Sequence, residues 1–374
     1  MEQAYKNTVW TLPDNYLSFE RFEVALRGLE MSSSPGWPYV LSKPTIGEWL
    51  GFDGVVFDAH QVSSLWYDVN LVMAGVFEIE LRCFIKQEPH SLDKARNNRW
   101  RLIMALPLSV QVLWQMLFKY QNDLEIAKAY EIPSQQGIVI CGGGWKIYRE
   151  SWVARGFNMG LDKRAWDWTA PYWLIQMDLQ FRYRMGRGSK MAEWMGLACE
   201  MYEKVFERPL VRLSNGLVLR QKFPGIFKSG LVNTISSNSH MQVMIHLFYC
   251  REKGLDWEPL PVACGDDTLQ SDVHTVDVDC YARYGAIVKS ASQGLEFVGH
   301  EFLRGGPVPL YNSKHFAKFR HVKDEDMAMY LDSMCRLYAH SELFDVWIYF
   351  ARELGVEDQL LSKQAYQFWY DFEI

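Results

Sequence analysis

The octapeptide Val262-Ala263-Cys264-Gly265-Asp266-Asp267-Thr268-Leu269 limits the possible folds more than any other stretch of the chain. An apolar strand, a tight Gly-Asp-Asp turn and a second strand predict a hairpin with two adjacent carboxylates at its tip. Adjacent acids repel, so the arrangement is costly unless water or cations neutralise it. Hard oxygen ligands of this type favour Mg²⁺ or Mn²⁺. Asp and Gly are also ordinary turn residues. Alone, the tripeptide is read at least as simply as a solvated turn, and its weight depends on what accompanies it.

Two segments accompany it, both upstream. In Gly160-Leu161-Asp162-Lys163-Arg164-Ala165-Trp166-Asp167-Trp168 the aspartates stand five apart and do not share a helix face. They suit a strand end running into a turn and a helix, with Asp162 directed at a metal and Asp167 further along a cleft. In Ser229-Gly230-Leu231-Val232-Asn233-Thr234-Ile235-Ser236-Ser237-Asn238 a glycine hinge precedes Thr234 and Asn238, which four-residue spacing sets on one helix face. That face could read a hydroxyl-bearing ligand, or the segment could be a capped helix with Ser229 near its start. Surface aspartates at such spacing are common, so neither segment is specific by itself.

The rest of the chain sets the frame. At 374 residues, 49% hydrophobic and 22% charged, it can bury a sizeable core, and disorder is excluded as its main character. Helical spacing of apolar residues covers Glu20 to Leu29, Ser109 to Ala129 and Met327 to Leu354, whereas Leu81 to Ile85 reads as a strand. Helices and strands without regular βαβ alternation predict an α+β fold. The glycine- and proline-rich breaks are too short for flexible linkers, so one multi-lobed unit is expected. The seven Cys include no C-x-x-C pair, which supports neither a disulfide framework nor a zinc ribbon and suggests a reduced, intracellular setting. No apolar run reaches the length of a membrane span, and residues 1–20 carry no signal-peptide block, so a soluble chain is expected.

A formal charge of −6 would ordinarily count against a nucleic-acid partner, but phosphate binding follows local charge. Between Arg82 and Arg101, six cations (Arg82, Lys86, Lys94, Arg96, Arg99, Arg101) face only Glu88 and Asp93. A second cluster, Lys314, Lys318, Arg320 and Lys323 with two histidines, reads more simply as a solvated face. His240 and His246 read as packed or solvent histidines rather than ligands, and Cys264 as core. Gly142-Gly143-Gly144 lacks the Gly-Lys-Ser/Thr ending of a phosphate loop.

Taken in order, the acidic pair, the polar helix and the Gly-Asp-Asp hairpin resemble motifs A, B and C of viral RNA-dependent RNA polymerases. Ser34-Pro35-Gly36-Trp37-Pro38-Tyr39 resembles their template-entry motif. Phe84-Ile85-Lys86-Gln87-Glu88-Pro89-His90 with Arg99-Trp100-Arg101-Leu102-Ile103 resembles the basic nucleotide-entry motif. Lys289 after Gly285, and Phe297-Val298-Gly299-His300-Glu301-Phe302, are similar to motifs D and E. The Lys-x-Glu-Pro-His run and the Asp-Trp-Thr ending of motif A are most similar to the sobemovirus and luteovirus-like group. The chain departs from that group at Lys163-Arg164-Ala165, where relatives often have small residues and a glycine, and at Val298-Gly299, where a Cys-Ser pair is frequent.

The resemblance implies a right hand: fingers over about 1–155, palm over 156–184, a fingers insertion over 185–225, palm again over 226–310, and a helical thumb over 311–374. Gly142-Gly143-Gly144 then reads as a fingers loop with a weak chance that its backbone meets template. It implies RNA-templated RNA synthesis in replication of a positive-strand RNA virus, with two Mg²⁺ (or Mn²⁺) ions held by Asp162, Asp266 and Asp267 and with Lys289 as proton donor. Lys86, Arg99, Arg101, Asp167, Ser229, Thr234 and Asn238 would bind nucleotide; Ser34, Pro35 and Gly36 would bind template. The implied partners are template and product RNA, ribonucleoside triphosphates and other viral replication proteins. The implied setting is host cytoplasm, with membrane-associated complexes left open. Two rivals are a reverse transcriptase and an idle polymerase-like RNA-binding protein. Asp167, where a bulky ribose-excluding residue would be expected, and Gly265 before the acids count against the first, and the intact costly acidic set counts against the second.

Overall fold

The acidic hairpin forms as its pattern requires, within a computed structural model that describes residues 1–372. The N-terminal part carries β1 (Trp10–Thr11), α1 (Phe19–Arg27), α2 (Ile46–Trp49) and α3 (Ala59–Met73). Next come β2 (Glu80–Ile85), α4 (Leu92–Arg96), β3 (Leu102–Ala105), α5 (Leu108–Ala127) and α6 (Gly144–Ala154). β4 (Met159–Lys163) leads through α7 (Trp166–Thr169) into α8 (Tyr172–Met185), β5 (Gly186–Arg187) and α9 (Met191–Tyr202). β6 (Leu210–Leu213) and β7 (Val218–Arg220) precede the long α10 (Thr234–Lys253). The hairpin is β8 (Val262–Cys264) and β9 (Asp267–Gln270), followed by β10 (Val288–Gln293), β11 (Glu296–Phe297), β12 (His300–Leu303) and β13 (Gly306–Pro309). Four helices close the chain: α11 (Asn312–Phe319), α12 (Met327–Leu337), α13 (Phe344–Glu353) and α14 (Lys363–Asp371). The apolar spacing from Met327 to Leu354 thus belongs to two helices, broken between Leu337 and Phe344.

Helices and strands mix without regular alternation, which is the expected α+β class. The central sheet has order β10-β4-β9-β8 and is antiparallel throughout, with Leu161 opposite Thr268, Cys264 opposite Asp267 and Asp162 opposite Ser290. Pleating turns Val262 and Leu269 into the C-terminal core, while α10 packs along β8. A second sheet, β3-β2-β6-β7, brings residues 210–220 back beside β2 as a parallel neighbour.

Two apolar cores flank the central sheet. The larger joins α1, α3, α5, α8, α9 and α10. The other joins Trp145, Tyr148 and Trp152 of α6 to Leu331, Cys335, Trp347 and Tyr366 of the C-terminal helices. α6, counted with the fingers in the 1–155 division, therefore packs on the C-terminal lobe. The Gly142–Gly144 run goes with it, which corrects its reading as a fingers loop. Gly142 and Gly143 donate their N–H groups to the carbonyls of Trp369 and Tyr370 at 3.1 and 3.0 Å, satisfying orphan acceptors at the end of α14. A side chain at Gly144 would meet the Val139 carbonyl oxygen at 1.9 Å, so only glycine fits there.

α10 is polar yet buried from Ser236 to His246, and many of its polar groups pair within the core. Asp178 accepts from Arg182 Nε at 2.9 Å, from Ser237 at 2.6 Å and from His240 Nδ1 at 2.6 Å. The other ring nitrogen of His240 lies 3.0 Å from Glu125 as an ion pair, and Glu125 accepts from Ser236 at 2.5 Å. Arg182 also donates to Gln121, Ser236 and Ser237. Burial alone would favour neutral forms, but Arg182 and His240 hold Asp178 far below the ordinary carboxylate range, and His240 holds Glu125 down. Burial likewise opposes the charged His240, yet Glu125 and Asp178 raise it above its usual value. His240 is thus packed, as expected, but as a buried cation between two carboxylates.

Replacing His240 with Ala strands two buried carboxylates against one arginine, and urea unfolding should show a loss of roughly 3–5 kcal/mol. Because the folded pKa is raised, this contribution is complete below the unfolded value of about 6.5 and is lost as pH climbs through the folded value. The gap between wild type and variant should therefore narrow toward alkaline pH. A gap that widens there would contradict a charged His240.

Candidate active site

Strand β4 delivers Asp162 beside the hairpin because Leu161 pairs with Thr268, one residue beyond Asp267. Asp162, Asp267, Lys289 and Tyr311 line a recess of about 190 Å³ at this end of the sheet. Gly265, at φ +67°, makes the turn that a side chain would strain, and its N–H is held by Ser239 Oγ of α10 at 2.9 Å. Burial raises the Asp266 carboxyl. Burial and then the neighbouring Asp266 push Asp267 up to about 6. Three half-buried carboxylates with this mutual repulsion form a donor set that fits hard divalent cations.

Two lysines offset that charge within the protein. Lys289 Nζ lies 2.5 Å from Asp162 Oδ2, a bond that raises the lysine above its usual value. Lys163, 4% exposed, lies beneath the cluster and donates to Thr268 Oγ1. Burial lowers Lys163 to about 8, while Asp266, Asp267 and Asp162 hold it up. Its place in β4 defines the backbone at Lys163-Arg164-Ala165, where the sequence departs from the resembled group. The strand continues through Lys163, and the turn is made by Ala165 in a left-handed conformation at φ +52°.

The polar face of α10 meets motif A at the opposite rim. Asn238 Oδ1 accepts from Trp166 Nε1 at 2.9 Å, which turns its amide toward Asp167. Burial, then Asp266, raises Asp167, against the pull of Arg101 and Asn238. Thr234 does not join them. Its hydroxyl accepts from Leu231 N–H at 3.1 Å and donates to the Lys228 carbonyl at 3.3 Å, which uses it to shape the loop before α10. Ser229 lies in that loop, five residues ahead of the helix start at Thr234, so it does not cap the helix.

The basic segment divides. Arg101 directs its field onto Asp167 and Asp266. It shares Glu88 with Lys86, at 3.3 and 3.0 Å. Burial would raise Glu88, but bonds from Lys86 and Arg101 keep it below its ordinary value. Arg99 instead pairs with exposed Asp93, away from Arg101. At the template motif, Ser34 Oγ accepts from Arg82 at 3.1 Å beside an open groove also lined by Phe84 and Gln87. Pro35 and Gly36 are buried, and a side chain at Gly36 would strike the Leu106 carbonyl oxygen at 2.1 Å. Their place is in packing, so of the three only Ser34 faces the groove.

Sequence reasoning passed over Lys163, Tyr311 and Lys314. Lys314 Nζ sits 3.9 Å from the Tyr311 ring centre, and its field reaches Asp267, so this cation does not belong to a merely solvated face. The signal available was weak: one lysine among several. Cys264 is half-buried rather than fully core, and Asp267 and Asp266 add to the burial that raises its thiol to about 11.

Known proteins share this fold and parts of this sequence. Residues 204–340 match the family model described as viral RNA-directed RNA-polymerase. Protein P1-P2 of Pea enation mosaic virus-1 is 29% identical over 341 residues, covering 80% of this chain and 27% of that protein. Replicase polyprotein P2AB of Southern cowpea mosaic virus is 32% identical over 251 residues, 62% of this chain and 25% of that protein. The RNA-directed RNA polymerase of Mushroom bacilliform virus is 28% identical over 285 residues, 72% of this chain and 67% of that protein. Among solved structures, the Sicinivirus 3Dpol RNA dependent RNA polymerase superposes with a TM-score of 0.75 at 14% identity, covering 99% of this chain and 83% of that one. The fold is that of a right-hand polymerase, and the sequence is similar to viral RNA-dependent RNA polymerases over residues 204–340. In sequence the chain is similar to the P1-P2 proteins and replicase polyproteins of the luteovirus-like and sobemovirus group. It spans 27% to 32% of the length of the first three curated relatives it matches.

Lys163→Met removes a buried cation from beneath three carboxylates, which makes them harder to ionise. The pH below which Mg²⁺ ceases to raise the melting temperature should move up by roughly one unit. An unmoved threshold would show that Lys163 does not balance the cluster.

Proposed function

We propose that this chain extends RNA on an RNA template from ribonucleoside triphosphates, in replication of a positive-strand RNA virus. The observation that carries the reading is the convergence of Asp162 with Asp267 of the acidic hairpin on one recess, where Lys289 pairs with Asp162. The likeness to polymerases named as such supports it. Template and product RNA and other viral replication proteins are the partners in this reading, and host cytoplasm, including membrane-associated complexes, is the setting.

Asp162, Asp266 and Asp267 would hold two divalent ions, Mg²⁺ or Mn²⁺. Such ions, when bound, lower the pKa of the 3′ hydroxyl and offset charge on the phosphates. The chain's own residues do the rest. Arg101, with Lys86 behind it, draws the triphosphate toward the acids and screens its charge. Lys289, exposed and protonated, carries at Nζ the proton that departing pyrophosphate takes up. Asp167 accepts from the ribose 2′ hydroxyl, and the Asn238 amide, fixed by Trp166, orients Asp167 for that bond. A site built on such a bond rejects the deoxy analogue, because its own polar groups are left unpaired. This counts against a reverse transcriptase.

Primer extension on an RNA template, with rNTPs and dNTPs in parallel, tests the reading. Asp266→Asn should cut extension by several orders of magnitude while leaving RNA binding and melting temperature nearly unchanged. Extension at the wild-type rate would remove Asp266 from the reaction. Asn238→Ala should narrow rNTP over dNTP discrimination by about 1–3 kcal/mol. Trp166→Phe, which cuts the tie but spares the amide, should narrow it less. Equal losses for both sugars would leave Asn238 a purely structural link.

A further inference from the structure

The four-residue α7 carries Asp167, and a single helical turn gains too few internal bonds to hold itself. Its place depends on what takes the carbonyls left unpaired at its C-terminal end. Two of them are taken by the segment that leads into α10. Phe227 donates its N–H to the Asp167 carbonyl at 2.7 Å, and Ile226 donates to the Ala170 carbonyl at 3.2 Å. Gly225 lies so close to Ala170 that a side chain there would meet the carbonyl oxygen at 2.6 Å. Asp167 is therefore fixed from two sides, its carboxylate by the Asn238 amide and its backbone by the strap of residues 225–227.

The strap is neither helix nor strand, and it is gathered on one side chain. Lys228 is 1% exposed, and its Nζ donates to Gln221 Oε1 at 2.8 Å, to the Ile226 carbonyl at 2.8 Å and to the Gly225 carbonyl at 3.2 Å. Three protons meet three acceptors, as an ammonium requires. Gln221 in turn donates to the carbonyls of Phe206, Phe223 and Gly225. The peptide planes on either side of Ile226 both turn their oxygens to Nζ. Between them Ile226 takes φ +59°, a left-handed conformation that disfavours a β-branched residue. Burial lowers Lys228 to about 7, with no carboxylate offsetting it among the described residues. A methionine would fill similar space without that cost, so stability alone does not account for an ammonium here. The Lys228 carbonyl accepts from the Thr234 hydroxyl, which ties the same residue to the start of α10.

We propose that Lys228 is a positioning residue for sugar selection: its ammonium shapes the strap that fixes the α7 backbone and so sets Asp167 against the ribose 2′ hydroxyl. The inference rests on the reading of Asp167 as the acceptor of that hydroxyl. Enclosed as it is, Lys228 acts through the strap rather than by touching nucleotide. Without the ammonium, nothing gathers the two carbonyls around Ile226, the left-handed turn relaxes, and the Phe227 N–H leaves the Asp167 carbonyl. A deoxy sugar has no hydroxyl for Asp167 to accept from, so the loss falls on ribonucleotides.

Primer extension by the full chain, read as kcat/KM for rNTP and for dNTP, tests this in wild type, Lys228→Met, Asp167→Ala and the double variant. Lys228→Met should lower the rNTP over dNTP ratio by about five- to tenfold, the contribution of one hydrogen bond, almost wholly through the rNTP. Asp167→Ala should lower it at least as far, and adding Lys228→Met should change the ratio no further, because both act on one contact. Equal losses for the two sugars, or the same fall in ratio with Asp167 already gone, make Lys228 a structural tie only and overturn the inference. If Asp167→Ala keeps the wild-type ratio, the ribose reading itself fails and the inference falls with it. Should Lys228→Met not fold, Gln221→Leu takes one acceptor from the ammonium and should give a smaller fall in the ratio, absent once Asp167 is removed. A wild-type ratio in Gln221→Leu overturns the inference equally.

Discussion

Four buried charges that cancel, Glu125 and Asp178 against Arg182 and His240, fix the helix on which the candidate site depends. They come from α5, α8 and α10, so the network locks three helices into one register. A buried polar helix is costly where its groups go unpaired, and a network of paired charges discriminates against alternative packings. From the locked α10, Asn238 reaches Trp166 of motif A and Ser239 reaches Gly265 of the hairpin. Both acid-bearing turns are thus hung from one helix whose position is set by charge.

The cleft itself is a balance between concentrated acid and scattered base. The chain is net acidic, and its densest acidity is placed where cations are expected to work. Lys163 and Lys289 make the cluster affordable in their absence, one buried beneath it and one exposed beside it. Arg101 and Lys314 approach from different segments and act through their fields rather than by contact. An acidic protein can in this way present a locally positive path to a triphosphate.

Much of this was legible in the sequence because it is local. The hairpin at Gly265, the strand-turn-helix carrying Asp162 and Asp167, and the α+β class follow from short-range pattern. What escaped depends on contacts between distant segments. Thr234 has the spacing of a ligand-reading residue, but the loop from Lys228 folds back and takes its hydroxyl. Pro35 and Gly36 lie in a motif that suggests template, yet both are buried and the Leu106 backbone closes on Gly36. Gly142 to Gly144 pack against α14, more than two hundred residues on.

The two places where the chain departs from the pattern of its relatives are also places where non-glycine residues take positive φ: Ala165 at +52° and Val298 at +45°. Each such residue costs on the order of 1–2 kcal/mol, more for a β-branched one. The cost is tolerated at Ala165 because its neighbours leave little choice. Lys163 is buried beneath the acids and Trp166 is buried against Asn238, so the backbone between them must reverse within two residues. At Val298, which lines the same recess as Asp162 and Tyr311, the carbonyl is held by His300 Nδ1 at 3.0 Å. Strain therefore sits at two turns bordering the acids, each bracketed by contacts that fix it. The chain accepts a less comfortable backbone there and gains two things that glycine-bearing turns would not require: a buried lysine under the carboxylates and an apolar wall to their recess.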